Sequence, residues 1–409
     1  MKKTGLYLAL AAALGLGMTA CNRTDTPAPA STAEQAAPAT QGNPFFVQSD
    51  LPLQYPHFDT IKDADFAPAF DAGMTEQLKE VEAIAGNSEA PTFENTIIAM
   101  ENSGQVLDRA ATVFFNLSST DTNDARKKLD ADYSPKFAAH RDAIYLNGKL
   151  FERVQALYDK RDTLGLDAEG VRLVERYYTD FVRAGAKLSD ADKAKLKDMN
   201  AQLATLGTQF DQNVLNEVNA SAVTFDNADA LAGSNEAQVA AAAEEAKKRG
   251  LEGKYVVTLL NTTGQPPLTY LSNRDSRQKI FEASVARGSR GNEFDNTGLV
   301  SKVVKLRAER AALLGYPNYA AYSLEDATAK TPQAVNDMLG KLAPAAVANA
   351  RREAADLQKM IDQEQAAKGE PTFQLEPWDW AFYSEKVRAA KYNFDESQLK
   401  PYFEMKNVL

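Results

Sequence analysis

A chain of 409 residues with 46 basic and 56 acidic side chains carries a formal charge of −10, a balance that argues against nucleic acid or anionic lipid as its main partner. One cysteine and two histidines exclude an internal disulfide, a Cys-x-x-Cys metal site and an H-E-x-x-H zinc helix within these residues. A catalytic triad would have to rest on His57 or His140 alone. At 44% hydrophobic and 25% charged the composition is globular, with length for roughly two or three domains.

The N-terminus reads Met1-Lys2-Lys3, then an apolar run from Gly5 to Met18, then Thr19-Ala20-Cys21. Basic residues, a short apolar core and small residues before a cut site form the secretory pattern. The run falls short of the roughly 20 residues a membrane span needs. With the chain's single cysteine directly behind it, residues 1–20 resemble a bacterial lipoprotein signal. Cys21 is then the lipid attachment site. Asn22 in the next position, by the same resemblance, points to the outer membrane facing the periplasm. Residues 21–43 are rich in Ala, Pro and Thr and bury too little to offset their ordering entropy, so they read as a flexible tether. Fully extended, such a stretch reaches at most about 75 Å. One lipid and a tether anchor a protein to a membrane without spanning it.

From Pro44 onward helical signals dominate. Ile97, Met100, Gly104, Leu107, Ala111 and Phe114 follow Thr92 at three- and four-residue steps and predict one continuous helix. Ser134-Pro135 reads as an N-cap with proline at the first helical position. Ser189 with Asp192 predicts a capping box opening a long helix striped by Leu196, Met199, Leu203, Leu206 and Phe210. Glu236 to Arg249 predicts a helix stopped at Gly250. Thr331-Pro332 opens another, kinked or split at Pro344 before Gly369. The segment from 254 to 271 differs: Tyr255 to Leu260 is β-branched and apolar, turn residues follow, and Leu268 to Leu271 is apolar again. It predicts a strand with a loop, or a small hairpin. The fold class is mostly α with this small β insertion.

Several residues invite a chemical reading. His140 falls on or beside an apolar helix face and reads as structural, while His57 lies in an extended loop. Arg287-Gly288-Ser289-Arg290-Gly291 has the makings of an anion-binding loop, though a tight turn with solvated arginines explains it as well. Glu376 and Asp379 could form a carboxylate pair, against the plainer reading of Asp379 as N-cap of the aromatic helix Trp380 to Arg388. From the residues alone no active site stands out.

Five blocks, in order, carry a family resemblance: Phe93 to Thr96, Lys254 to Pro267, Arg287 to Asn296, Arg307 to Thr331, and Leu375 to Arg388 with Tyr402-Phe403 beyond. Leu-Gly-Tyr-Pro-Asn-Tyr and Leu-Glu-Pro-Trp-Asp-Trp are the most specific runs. Together they resemble the zinc metallopeptidases that include thimet oligopeptidase, oligopeptidase A and bacterial peptidyl-dipeptidase, and are most similar to the last. The resemblance covers Pro44 to Leu409. It implies a mostly α, two-lobed molecule with a deep channel for short peptides, and release of dipeptides from free C-termini. It also implies one zinc ion held by an H-E-x-x-H helix and a downstream glutamate.

None of those ligands is among the 409 residues, so no residue here receives a catalytic or metal role. The resemblance places the zinc helix beyond the Tyr-Phe block, and the expectation is an interrupted sequence: residues 44–409 as the helical N-terminal portion of an oligopeptidase, inactive alone. A half-channel would also leave apolar surface for the missing lobe to cover. The segment 254–271 is the candidate for contact with extended peptide by strand addition. The alternative is a non-catalytic helical lipoprotein that binds peptides or a partner, with a hydrolase using His57 or His140 as a remote third.

Overall fold

The computed structural model describes residues 42–260, 264–392 and 396–408. The signal segment, Cys21 and almost all of the tether lie outside the described residues. Among the described residues fifteen α-helices follow in chain order: α1 Asp63–Ala85, α2 Ala99–Glu101, α3 Gln105–Thr120, α4 Asp124–Tyr145, α5 Gly148–Tyr158, α6 Ala168–Ala184 and α7 Asp190–Ala220. Strand β1 (Val223–Phe225), α8 (Glu236–Lys248) and strand β2 (Tyr255–Val257) follow. Then come α9 Pro267–Tyr270, α10 Arg274–Val285, α11 Thr297–Leu313, α12 Tyr319–Leu324, α13 Pro332–Lys368, α14 Trp380–Tyr392 and α15 Met405–Val408. The fold is mostly α, as the pattern predicts. No described helix is long and apolar enough to cross a membrane.

The chain divides into two compact units. The first holds the residues up to Gln212 together with Gly298–Tyr322. One of its cores packs Phe66 and Phe70 of α1 against Leu107, Ala110 and Phe114 of α3 and Tyr133 of α4. A second joins Val81 and Ile84 of α1 to Ile144, Leu150, Val154, Val174 and Phe181 from α4, α5 and α6. Between these cores, Arg153 on α5 is buried without a carboxylate. It donates instead to the Asn87 and Glu89 carbonyls at 2.9 and 3.0 Å, to Asn95 Oδ1 at 2.8 Å and to Thr96 Oγ1 at 3.3 Å. A buried guanidinium is tolerated when its donors are satisfied in this way.

Two helix boundaries in this unit differ from the sequence pattern. The stripe after Thr92 is not one helix: a π-helical turn, Phe93–Ile98, leads into α2, and Gly104 then resets the direction before α3. Gly104 adopts φ +73°, a left-handed conformation that glycine accepts freely. Its N–H donates to Glu80 Oε2 at 2.7 Å, and a Cβ there would lie 2.3 Å from Gln77 Nε2. Ser134-Pro135, likewise, starts nothing. Helix α4 begins eleven residues earlier at the Asn123 cap, whose side chain accepts from Arg126 N, and runs through Pro135. Ser134 Oγ donates to the Ala204 carbonyl instead, at 3.2 Å. The Ser189 start of α7 does match: Asp192 N donates to Ser189 Oγ at 3.2 Å.

The second unit holds Asn213–Thr297 and the residues from Ser323 onward. Its β element is smaller and differently paired than a local hairpin. Strand β2 pairs antiparallel with β1, Val223 opposite Val257 and Phe225 opposite Tyr255. The apolar run near Leu268 is the helical turn α9, led in by Pro266-Pro267, and residues 261–263 lie outside the described ones. Phe225, Leu259, Leu268, Leu271 and Ile280 close a core there with Leu231 and Ala242. Helix α13 starts where predicted, with Thr331 Oγ1 accepting from Ala334 N at 3.1 Å. It ends at Gly369 in the left-handed region. Pro344 does not split it, and its 37 residues form one helix. Its C-terminal half buries Leu357 and Ile361 against Phe382 and Tyr383 of α14.

Candidate functional site

Within the second unit the structure gathers charge at two places. The first is Asp379, fully buried at the end of the turn Pro377–Asp379 that leads into α14. Arg274 and Arg277 stand three apart on α10, so both guanidiniums leave the same helix face. Arg277 Nη2 donates to Asp379 Oδ1 at 2.7 Å. Arg274 donates through Nε to both oxygens at 3.1 Å and through Nη2 to Oδ2 at 2.8 Å. The Glu376 N–H adds a bond to Oδ2 at 3.2 Å. Arg277, itself buried, spends its other donors on the carbonyls of Leu271, Ser272 and Trp378. Phe382 lies against its guanidinium at 4.2 Å and Phe373 against that of Arg274 at 4.2 Å, contacts that favour a planar cation. The Asp379 hydrogen bonds push the Arg274 pKa above its ordinary value.

This arrangement settles the two readings of Asp379. Its carboxylate has about four acceptor positions, and they are committed to two arginines and a backbone N–H. It has no free acceptor with which to take a proton from a substrate, so Glu376 and Asp379 are not an acid/base pair. Nor does Asp379 cap α14; its side chain turns back to Glu376 N and across to α10. Glu376 borders a shallow apolar cleft with Ala354, Leu375, Pro377 and Trp380.

The second place is the loop Arg287 to Gly291. Gly288 and Gly291 both adopt positive φ, 71° and 70°, and the loop turns the Gly288 N–H and the Arg290 guanidinium toward one anion. The anion is the protein's own. Glu217 of α7 is fully buried and accepts from Gly288 N and, at 2.8 Å, from Arg290 Nε. Arg290 Nη2 donates to the Ala283 carbonyl, and Arg287 Nη2 to the Leu259 carbonyl at 3.0 Å. The anion-binding reading is thus right in chemistry; the tight turn also forms, with Ser289 N donating to the Ala286 carbonyl at 3.1 Å, but its arginines are paired and not solvated. The loop ties α7 to the segment after β2 and to α10.

Both histidines belong to the first unit. His140 is buried on α4, its Nε2 2.6 Å from Gln77 Oε1 while Nδ1 has no partner, and burial lowers its pKa. His57 is at the surface, with Nε2 2.7 Å from Asp50 Oδ1. Among the described residues no three His, Cys, Asp or Glu side chains converge as a metal site requires. Each histidine stands with one hydrogen-bond partner and no second ligand. The described residues therefore do not fit a zinc ion. In the first unit Asp142 is buried on α4, accepting from Asn200 Nδ2 at 2.8 Å while its Oδ2 has no partner. Desolvation pushes its pKa up to about 6.

The blocks Leu375 to Arg388 and Arg287 to Asn296 both lie in a stretch, residues 267–409, that matches the model of peptidase family M3. Over 370 residues the chain is 45% identical to a dipeptidyl carboxypeptidase of Escherichia coli strain K12, a match covering 90% of this chain and 54% of that protein. The corresponding Salmonella typhimurium protein is 43% identical over 367 residues, covering 90% and 53%. Oligopeptidase A of E. coli is 27% identical over 356 residues, covering 86% and 52%. The chain spans about half the length of the curated relatives it matches.

Asp379 and its two arginines lie within the matched stretch. Sequence reasoning found Asp379 and the Arg287 loop but missed Arg274, Arg277 and Glu217. An available signal was Asn273-Arg-Asp-Ser-Arg277: Asn273 caps α10 by accepting from Ser276 N, and two arginines one turn apart behind a cap predict a shared acidic partner. Cys21, which the sequence pattern predicts as a lipid attachment site, lies outside the described residues.

Proposed function

We propose that this chain supplies the helical, non-catalytic portion of a peptidase that hydrolyses short peptides and releases dipeptides from their C-termini. The observation that carries this reading is the 45% identity to the E. coli dipeptidyl carboxypeptidase along 90% of the chain. Zinc is the cofactor the family resemblance implies. Residues 1–20 act as a lipoprotein signal, and lipid on Cys21 holds the body in the periplasm at the outer membrane.

Joining residues 44–409 to the part of the E. coli relative that this chain does not match tests the peptidase reading. The expected result is chelator-sensitive release of C-terminal dipeptides by the joined protein, with neither stoichiometric zinc nor cleavage in the 409-residue chain alone. Hydrolysis by the purified chain alone would overturn the reading. For the anchor, Cys21→Ser should move the protein from the membrane to the soluble fraction, and unchanged fractionation refutes lipidation.

A further inference from the structure

Helix α13 carries one apolar stripe along its length and covers only half of it. Val335, Leu339, Leu342, Ala346 and Ala350 recur at three- and four-residue steps, with Val347 at the edge of the stripe, and the same face continues through Leu357 to Ile361. Asp337, Lys341, Arg351 and Arg352 project from the opposite side. This is the pattern of a helix packed along its whole length. At the C-terminal end it is satisfied, since Leu357 and Ile361 are buried against α14. Toward the N-terminus it is open: Leu339 is 48% exposed, Leu342 60% and Val347 48%, with Met338 beside them at 59%. The open stretch is about 20 residues, roughly 30 Å of helix. An alanine-rich helix of that length in water draws most of its stability from tertiary packing. Exposed apolar faces of this size mark contact surfaces.

We infer that the open half of this stripe is the seat of a second helix, supplied by the half of the family M3 relatives' length that this chain does not span. Three observations fix the occupant. The open stripe is continuous with the α13–α14 interface, so a partner laid along it extends a packing already formed. Helix α13 lies inside the stretch matched by the family, while the relatives carry nearly as much sequence again. The stripe has no charge, and its small residues Ala346 and Ala350 let a neighbour approach closely, within the 8–10 Å typical of packed helices. The occupant is therefore an amphipathic helix with a Leu, Ile, Val or Met stripe. The inference rests on the family assignment and not on the peptidase reading.

The test uses cysteine labelling, which reads coverage without reference to hydrolysis. The double substitution Cys21→Ser, Leu342→Cys leaves the only thiol on the stripe, and its rate with a water-soluble maleimide is measured in the 409-residue chain. The same substitution at the aligned position of the intact E. coli relative is measured beside it, located by peptide mass. The thiol should react freely in this chain and at least about 100-fold more slowly in the relative, where reaction waits on local opening. Equal rates in the two proteins overturn the inference. Slow labelling in this chain also overturns it: with a dimer on size exclusion the occupant is a second copy, and with a monomer the chain covers the stripe itself.

Discussion

Replacing Asp379 by asparagine keeps the side chain's volume and removes its charge. In the wild type that carboxylate accepts from Arg277 Nη2, from Arg274 Nε and Nη2, and from Glu376 N. Arg277 is 1% exposed, so its guanidinium cannot turn to water when the charge is lost, and an amide NH2 would face its N–H groups. Breaking a buried ion pair on one side costs about 3–5 kcal/mol, a large share of the roughly 5–15 kcal/mol that holds a domain together. For a unit of this size that loss lowers the melting temperature by about 6–20 °C. Arg274 is a third exposed, and Arg274→Ala should cost markedly less. The decisive comparison is Asp379→Leu combined with Arg277→Met, which removes both charges and fills the space with apolar groups; such replacements are often neutral. Thermal melts followed by circular dichroism should rank the double variant above Asp379→Asn. If Asp379→Asn melts within about 2 °C of wild type, or the double variant is the less stable, the argument from buried charge is wrong.

Two further outcomes follow from other buried carboxylates. Glu217→Ala empties the Arg287 to Gly291 loop of its internal anion; it should destabilise by about 1–3 kcal/mol, and inorganic phosphate should restore stability to this variant and not to wild type. Equal response of both proteins to phosphate would falsify the anion-binding assignment. Asp142 has its folded pKa raised to about 6 from 3.8 by burial, so the folded chain binds the proton more tightly. That contribution is present below pH 3.8 and is lost as pH rises through about 6. Asp142→Asn should therefore flatten urea stability between pH 4 and 6 and raise it at pH 7.5 by about 1–3 kcal/mol, and an unchanged slope refutes the assignment.

What the sequence shows of this fold divides by range of interaction. Ser189, Thr331, Gly250 and Gly369 mark helix ends through bonds made within a few residues, and each is where the pattern puts it. Gly104 breaks its stripe because Glu80 and Gln77, more than twenty residues upstream, shape the place it occupies. Pro135 and Pro344 both sit inside helices that continue through them. Strand β2 is visible as a β-branched run, but its partner at Val223 lies on the far side of a helix, and register is set by pairing that no local pattern encodes.

Three of the five blocks that carry the family resemblance share one physical feature that only the structure exposes. Phe93 to Thr96 is clamped by buried Arg153, through Asn95 and Thr96. The Arg287 loop closes on buried Glu217, and the Trp-Asp-Trp block holds Asp379 against buried Arg277. In each, a charge taken out of water must meet a partner of fixed type, position and geometry, because an unpaired one costs several kcal/mol. Apolar core positions tolerate exchange among residues of similar volume; these positions do not. The runs by which the chain is recognisable are therefore the points that hold its helices in register, and their side chains, saturated by one another, are unsuited to acid/base chemistry.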